Sequence, residues 1–243
     1  DRLYISTIAD IPGSSGLGSS SSFCVGLVNC LYKYKGITAS KKLIAKTASN
    51  IEMNILKKPI GKQDHYAAAI GGLNYFKFND DETVNIKNIK STYLKKIFNN
   101  SLFFWTGDSR HAEDVLSDQG KNKNRNIKNL KLLRDLSNKY KENNNFKLLS
   151  INKFASDLKQ SWILKKQLSN KITNTKIEKA YNIALDNGAL GGKILGAGNG
   201  GFLFVIANNK FHKKIISSLK KINFRNVDLS YSDQGTYLKS FKL

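Results

Sequence analysis

The 243-residue chain contains no apolar run approaching the roughly 20 residues of a membrane-spanning helix. No signal peptide pattern opens it either. A membrane partner is not expected on these grounds, and a cytoplasmic location is the default expectation. Cysteine is scarce: Cys24 and Cys30 lie six apart on one predicted helix, project from different faces and are too far apart to bridge. Both read as buried thiols of a reducing compartment. Acidic residues are few, 18 against 40 lysines and arginines, for a net charge of +22. Such an excess invites a nucleic-acid reading. The lysines, however, are spread among asparagines and isoleucines, as in Lys121-Asn122-Lys123-Asn124-Arg125-Asn126, and form no stripe interleaved with aromatics. A/T-rich codons produce the same bias, so no nucleic-acid partner is expected. The positive field still favours approach of small anions. The 40% hydrophobic content suffices to bury a core in one or two domains.

Two common phosphate-binding patterns are also absent. The run Pro12-Gly13-Ser14-Ser15-Gly16-Leu17-Gly18-Ser19-Ser20-Ser21-Ser22 has neither the Gly-Lys-Ser/Thr end of a P-loop nor G-x-G-x-x-G spacing. Leu3 to Ala9 alternates weakly and reads as a strand, and Phe23 to Tyr34 as an apolar helix. The order strand, glycine loop, helix makes a phosphate cradle, because glycine permits close approach and the helix start presents free N–H groups and a positive dipole end. A flexible Gly/Ser linker is the alternative, against which the apolar helix argues.

The loop resembles the second signature motif of the GHMP kinases, P-x-x-x-G-L-G-S-S-A. Pro12, Gly16, Leu17, Gly18, Ser19 and Ser20 match, and Ser21 stands where alanine is usual. Gly196-Ala197-Gly198-Asn199-Gly200-Gly201-Phe202 resembles the third motif, G-A-G-G-G-G-F, with Asn199 replacing one glycine. Gly16 and Gly196 stand 180 positions apart, in the family's order. The resemblance implies an α+β, two-domain GHMP kinase fold: a ribosomal-protein-S5-like first domain over residues 1–99 and a ferredoxin-like second domain over residues 100–243. It also implies that Pro12, Gly13, Ser15, Gly16, Leu17, Gly18, Ser19, Ser20 and Ser21 bind the phosphates of ATP.

Between the motifs lies the acidic chemistry. Ser40 is a plausible N-cap for a helix in which Ile44, Ala48, Ile51 and Ile55 share a stripe, with Glu52 at its edge. Pro59 and Gly61 end it, and a turn delivers Asp64. Phosphoryl transfer needs one carboxylate to hold Mg²⁺ against phosphate oxygens and another to orient or deprotonate the attacking hydroxyl. By the resemblance, Asp64 aligns with the catalytic aspartate and Glu52, with Ser20, with the magnesium site. By composition alone, Glu52 is a solvated charge and Asp64 a turn residue. Lys62 either neutralises phosphate charge or is one more solvated lysine.

Pro59-Ile60-Gly61-Lys62-Gln63-Asp64, Tyr66 to Asn74 and Leu102 to Arg110 are similar to the D-glycero-D-manno-heptose 7-phosphate kinases, which implies a sugar-phosphate acceptor. Similar strings occur in kinases of other sugars. His65 stands where glutamine is usual. Arg110 is a candidate for binding the sugar's phosphate, or an exposed arginine starting a helix. Gly198 and Asn199 are further substrate-side candidates, and a purely structural turn competes with that role. The family's first motif is missing, so the chain is expected to be N-terminally incomplete by on the order of 80 to 100 residues. A kinase of another sugar or polyol, and a noncatalytic nucleotide-binding relative, are the competing readings.

The remaining pattern predicts a hairpin of Leu73–Phe78 and Thr83–Ile86, a strand over Leu102–Thr106, and helices over Ala112–Leu116, Ile127–Tyr140, Lys147–Leu168 and Ile177–Asp186. The Lys/Asn clusters read as loops. A strand over Phe202–Ala207, a helix from about Lys210 to Ile222 and a strand near Val227–Tyr231 complete an antiparallel sheet backed by helices.

Overall fold

Three helices and a hairpin enclose the first core. In the computed structural model, which describes residues 3–89, 91–108, 112–141 and 150–240, α1 (Ser19–Tyr34) turns Ser21, Cys24, Val25 and Val28 inward. That spacing is one stripe of a 3.6-residue period. It packs on Ile44, Ala45 and Ala48 of α2 (Lys41–Asn50), which Ser40 caps by accepting the Leu43 N–H at 3.2 Å. A π-helical turn, Ile51–Ile55, follows α2 without a break. Next come α3 (Gln63–Ile70) and the hairpin β1 (Leu73–Phe78) and β2 (Val84–Ile89), with Leu73 opposite Ile89. The Tyr66 ring of α3 meets Phe76 and Phe78 edge-on at 6.2 and 5.9 Å, closing this core.

The second core forms on a four-stranded antiparallel sheet of order β4-β5-β3-β6. In chain order the elements are α4 (Ser91–Asn99), β3 (Ser101–Trp105), α5 (Ala112–Lys121), α6 (Lys123–Asn138), α7 (Ile151–Lys166), α8 (Thr175–Asp186), β4 (Ala189–Ile194), β5 (Phe202–Ala207), α9 (Asn209–Lys220) and β6 (Arg225–Asn226). Strand alternation sorts the side chains to two faces. Phe104, Leu203 and Val205 pack with Ile177 and Ala180 of α8 and with Ile215 and Leu219 of α9. Ile206 and Phe204 face Ala155 and Leu158 of α7. A Cβ added to Gly191 would lie 2.2 Å from the Ala155 carbonyl oxygen, so α7 rests directly on β4.

Four expectations are corrected. Leu3 to Ala9 pairs with no strand among the described residues. Lys121 to Asn126 is no loop: α5 runs into α6 with Asn122 as the break, and Asn126 is buried with its amide donating to the Leu168 carbonyl at 2.7 Å. Hydrogen bonding to the next segment overrides the polarity of the cluster. The last strand is only Arg225–Asn226, and beyond it the chain crosses back to the first core. There the Gly72 N–H donates to Ser232 O, and the Thr236 N–H to Ala68 O. Cys24 is buried as expected, but Cys30 is exposed on the outer face of α1. Among the described residues no helix is long and apolar enough to cross a membrane.

Asp157 ties α7 to the end of α6. Its buried carboxylate accepts hydrogen bonds from Tyr140 Oη at 2.7 Å, Lys153 Nζ at 3.0 Å and Lys139 Nζ at 3.2 Å. Burial opposes its charge, but these bonds outweigh burial and hold the carboxyl below the usual aspartate range. The stabilisation is present above the ordinary aspartate pKa of about 3.9 and is lost as pH falls through the lower native value. Asp157→Asn is expected to cost about 1–3 kcal/mol near neutrality and much less in acid. Urea unfolding at several pH values measures both.

Candidate active site

The glycine loop reaches α1 through alternating left-handed residues, Ser14 (φ 57°), Gly16 (φ 81°) and Gly18 (φ 70°). Such alternation turns successive N–H groups toward one concave side, a shape that binds anions. Gly18 is the N-cap, and no side chain caps the helix start or places an acid in its first turn. The free N–H groups and positive dipole end are thus left for a ligand. Pro12 and Gly13 are exposed, Gly16, Leu17 and Ser19 half-buried, and Ser20 exposed. Ser15 and Ser21 are buried. Ser15 lies beneath the loop, because Gly201 packs against its carbonyl, and it supports the cradle from inside.

A polar cluster stands beside that helix start. Glu52, on the π-helical turn and 2% exposed, accepts a short hydrogen bond from Ser20 Oγ through Oε1. Lys58 Nζ lies 2.8 Å from the same Oε1 and 3.1 Å from Ser20 Oγ. On the inner side, His65 Nε2 lies 2.7 Å from Glu52 Oε2. Burial works against the Glu52 charge, yet the bonds from Lys58, Ser20 and His65 prevail and hold its carboxyl below the usual glutamate range. The ammonium of Lys58 thus occupies a cation position between a hydroxyl and a carboxylate. Among the described residues no three His, Cys, Asp or Glu side chains converge into a closed metal cage. Two hard oxygen donors with open remaining positions fit Mg²⁺, which keeps waters and substrate oxygens as its other ligands.

Asp64 enters from the first turn of α3. A Cβ on Gly18 would lie 3.3 Å from Asp64 Cβ and 3.4 Å from its Oδ2, so the carboxylate flanks the loop where α1 begins. The side chain is open to solvent on one side, while the protein around it desolvates the charge and raises its pKa above the usual aspartate range. Lys165 and His65 act in the opposite direction.

The third motif buttresses the second. A Cβ on Gly196 would lie 2.6 Å from Gly16 Cα, and one on Gly201 2.1 Å from Ser15 O, so the two backbones are stacked without side chains between them. Asn199 takes a left-handed conformation (φ 63°), which asparagine tolerates, and accepts from Asn174 Nδ2 at 3.0 Å. Gly198 and Asn199 pack on Ile172. Lys62 is engaged by Glu82 and lies over the Phe78 ring at 6.0 Å. Arg110 lies outside the described residues. Sequence reasoning missed Lys58, His65, Lys165 and Lys193. Only the departure at His65 signalled one of them.

Comparison with known proteins finds relatives over most of the chain. The family model for the GHMP kinases N terminal domain matches residues 1–72, and that for GHMP kinases C terminal matches residues 142–225. A curated relative, D-glycero-alpha-D-manno-heptose 7-phosphate kinase of Campylobacter jejuni, is 30% identical over 98% of this chain and 70% of its own length. A solved Campylobacter jejuni structure superposes with a TM-score of 0.70 at 26% identity, over 93% of this chain and 64% of that one. A D-glycero-D-manno-heptose 1-phosphate kinase structure from Bacteroides thetaiotaomicron shares the fold, with a TM-score of 0.64 at 21% identity over 95% of this chain and 66% of that one. The chain thus spans roughly two thirds of these relatives. Two family models, over residues 1–72 and 142–225, and an alignment over 98% of this chain point the same way, and the chain belongs to the GHMP kinases.

Proposed function

We propose that this protein transfers the γ-phosphoryl group of ATP to a hydroxyl of a sugar phosphate, D-glycero-D-manno-heptose 7-phosphate at C1 being the acceptor tested first. The convergence of the Ser20–Glu52 pair and Asp64 on the two sides of the α1 start carries the reading. Residues 1–99 would form the ATP-binding unit and residues 100–243 the second domain, in the cytoplasm. The Gly16–Ser21 backbone cradles the phosphates. Ser20 and Glu52 would hold Mg²⁺, which would supply charge neutralisation at the phosphate oxygens, and His65 fixes the Glu52 carboxylate through its second oxygen. The Lys58 ammonium keeps that carboxylate paired before nucleotide arrives.

Asp64 orients the acceptor hydroxyl and takes its proton as that oxygen bonds to the γ-phosphorus and the bond from the γ-phosphorus to the β,γ-bridging oxygen breaks, releasing ADP. Burial raises its pKa, which makes it a stronger base than an ordinary aspartate. Positioning and charge neutralisation supply the remainder of the rate, as phosphoryl transfer demands.

ADP release by the full-length protein with Mg·ATP and a panel of sugar phosphates tests the reading. Turnover with the heptose 7-phosphate supports it whole. Turnover only with another sugar or polyol keeps the kinase and replaces the acceptor, and ATP binding without any turnover points to a noncatalytic relative. In the active protein Glu52→Gln is expected to raise the Mg²⁺ concentration needed for half-maximal rate by about 10- to 100-fold.

A further inference from the structure

Two lysines face the candidate site from the second half of the chain. Lys165 is the penultimate residue of α7 and donates a short hydrogen bond to the Gly196 carbonyl, a neutral acceptor. Lys193 is the penultimate residue of β4, and its side chain makes no hydrogen bond or ion pair among the described residues. Lys193 pairs across the sheet with Phe204, which packs toward α7, so its side chain lies on the α7 side of the sheet, where its charge repels that of Lys165. Gly196 is stacked on Gly16 of the phosphate loop, and the charge of Asp64 acts on Lys165 through space. Lys165 thus reaches the seam of the two glycine motifs, whose loop residue Gly18 is flanked by Asp64, and Lys193 stands three positions before Gly196.

Elsewhere among the described residues the partly buried lysines are paired with carboxylates: Lys58 with Glu52, Lys62 with Glu82 and Lys166 with Glu178. Lys165 and Lys193 are half-buried, mutually repelling and bonded to no carboxylate. Burial, then the neighbouring Lys193, push Lys165 down to about 7, with Asp64 opposing, and burial lowers Lys193 too. An anion between them would relieve both the repulsion and the lost hydration. The phosphates of the donor are already provided for by the loop, Ser20 and Glu52, so the vicinity of Asp64 has cationic capacity for a second anion.

We infer that Lys165 and Lys193 form the subsite for the phosphate group that the acceptor already carries, gripping it by charge-assisted hydrogen bonds while its free hydroxyl lies at Asp64. The inference rests on the kinase reading of that site and deepens it. A neutral sugar or polyol has no use for such a pair, so the acceptor class is a phosphorylated one.

Titration calorimetry without nucleotide separates the two readings. Lys165→Met and Lys193→Met in the full-length protein are each expected to weaken binding of D-glycero-D-manno-heptose 7-phosphate by on the order of 10- to 100-fold. Binding of a non-hydrolysable ATP analogue stays unchanged, and arginine at either position restores most of the sugar-phosphate affinity. The unphosphorylated heptose binds the variants and the parent alike. In turnover, the rise in acceptor KM exceeds any fall in kcat. Thermal melts matching the parent show that the variants are folded. Undiminished sugar-phosphate binding in both methionine variants, equal losses for the phosphorylated and unphosphorylated sugar, or no sugar-phosphate binding by the parent would overturn the subsite. Tight, lysine-dependent binding without ADP release would overturn the kinase reading and leave the subsite standing.

Discussion

Asp64→Asn is expected to lower kcat by about 10²- to 10⁴-fold, the range that a positioned proton acceptor contributes. Asparagine keeps the size of the side chain against Gly18 and can still accept a hydrogen bond from the acceptor hydroxyl, but it cannot take the proton. In the proposed reading the nucleotide is held by the loop backbone and the Ser20–Glu52 pair, so the KM for ATP should change little. Removing a charge that acts on Lys165 also alters the cationic side of the site, so acceptor KM moves in the same experiment. Steady-state kinetics with each substrate varied in turn give the split. A fall in ATP affinity matching the fall in kcat would make Asp64 a structural residue of the loop.

Gly201→Ala is expected to be the most destabilising of the conservative substitutions in the glycine motifs. Its φ of 81° is a conformation that alanine adopts only with strain, and the added Cβ would lie 2.1 Å from Ser15 O and 2.7 Å from Ser15 C. Backbone cannot yield as a flexible side chain does, so the third motif and the phosphate loop must separate. A cost on the order of 2–4 kcal/mol follows from strain and overpacking together. For a chain of this size that is a fall in Tm of roughly 5–15 °C. ATP affinity should fall with it, since the loop loses its support. Asn199→Gly, two positions earlier, is the contrasting control. Glycine accepts the left-handed backbone there, and the loss is confined to one hydrogen bond with Asn174, about 1 kcal/mol. Differential scanning calorimetry and nucleotide titration of the two variants read both effects.

What could be read from residue order follows local rules. The Ser40 cap, the apolar stripe of α1, the hairpin over Asn79-Asp80-Asp81 and the apolar strand Phe202–Ala207 each depend on neighbours within a few positions, and each is found. Expectations that needed a distant partner fared worse. Leu3 to Ala9 has strand-like alternation but pairs with none of the described strands. Lys121 to Asn126 is polar enough for a loop, yet Asn126 finds the Leu168 carbonyl and the segment stays helical. Arg110 falls outside the described residues.

The candidate site divides in the same way. The glycine loop is marked by its own spacing ahead of an apolar helix, whereas Glu52, Asp64 and the second glycine motif are singled out by their resemblance to the family's motifs, since by composition alone Glu52 reads as a solvated charge and Asp64 as a turn residue. Tertiary structure decided everything that depends on contact. The π-helical turn and the α2 packing bury Glu52 and bring it to Ser20, 32 residues away, while Lys58 and His65 close on its two oxygens. The stacking of Gly196 on Gly16 carries Lys165 to the seam beside Asp64. In a chain with 40 basic residues no local pattern singles out Lys165 or Lys193. A lysine's role is set by desolvation and by the charges that surround it, and those exist only once helix, strand and loop from distant parts of the chain are packed together.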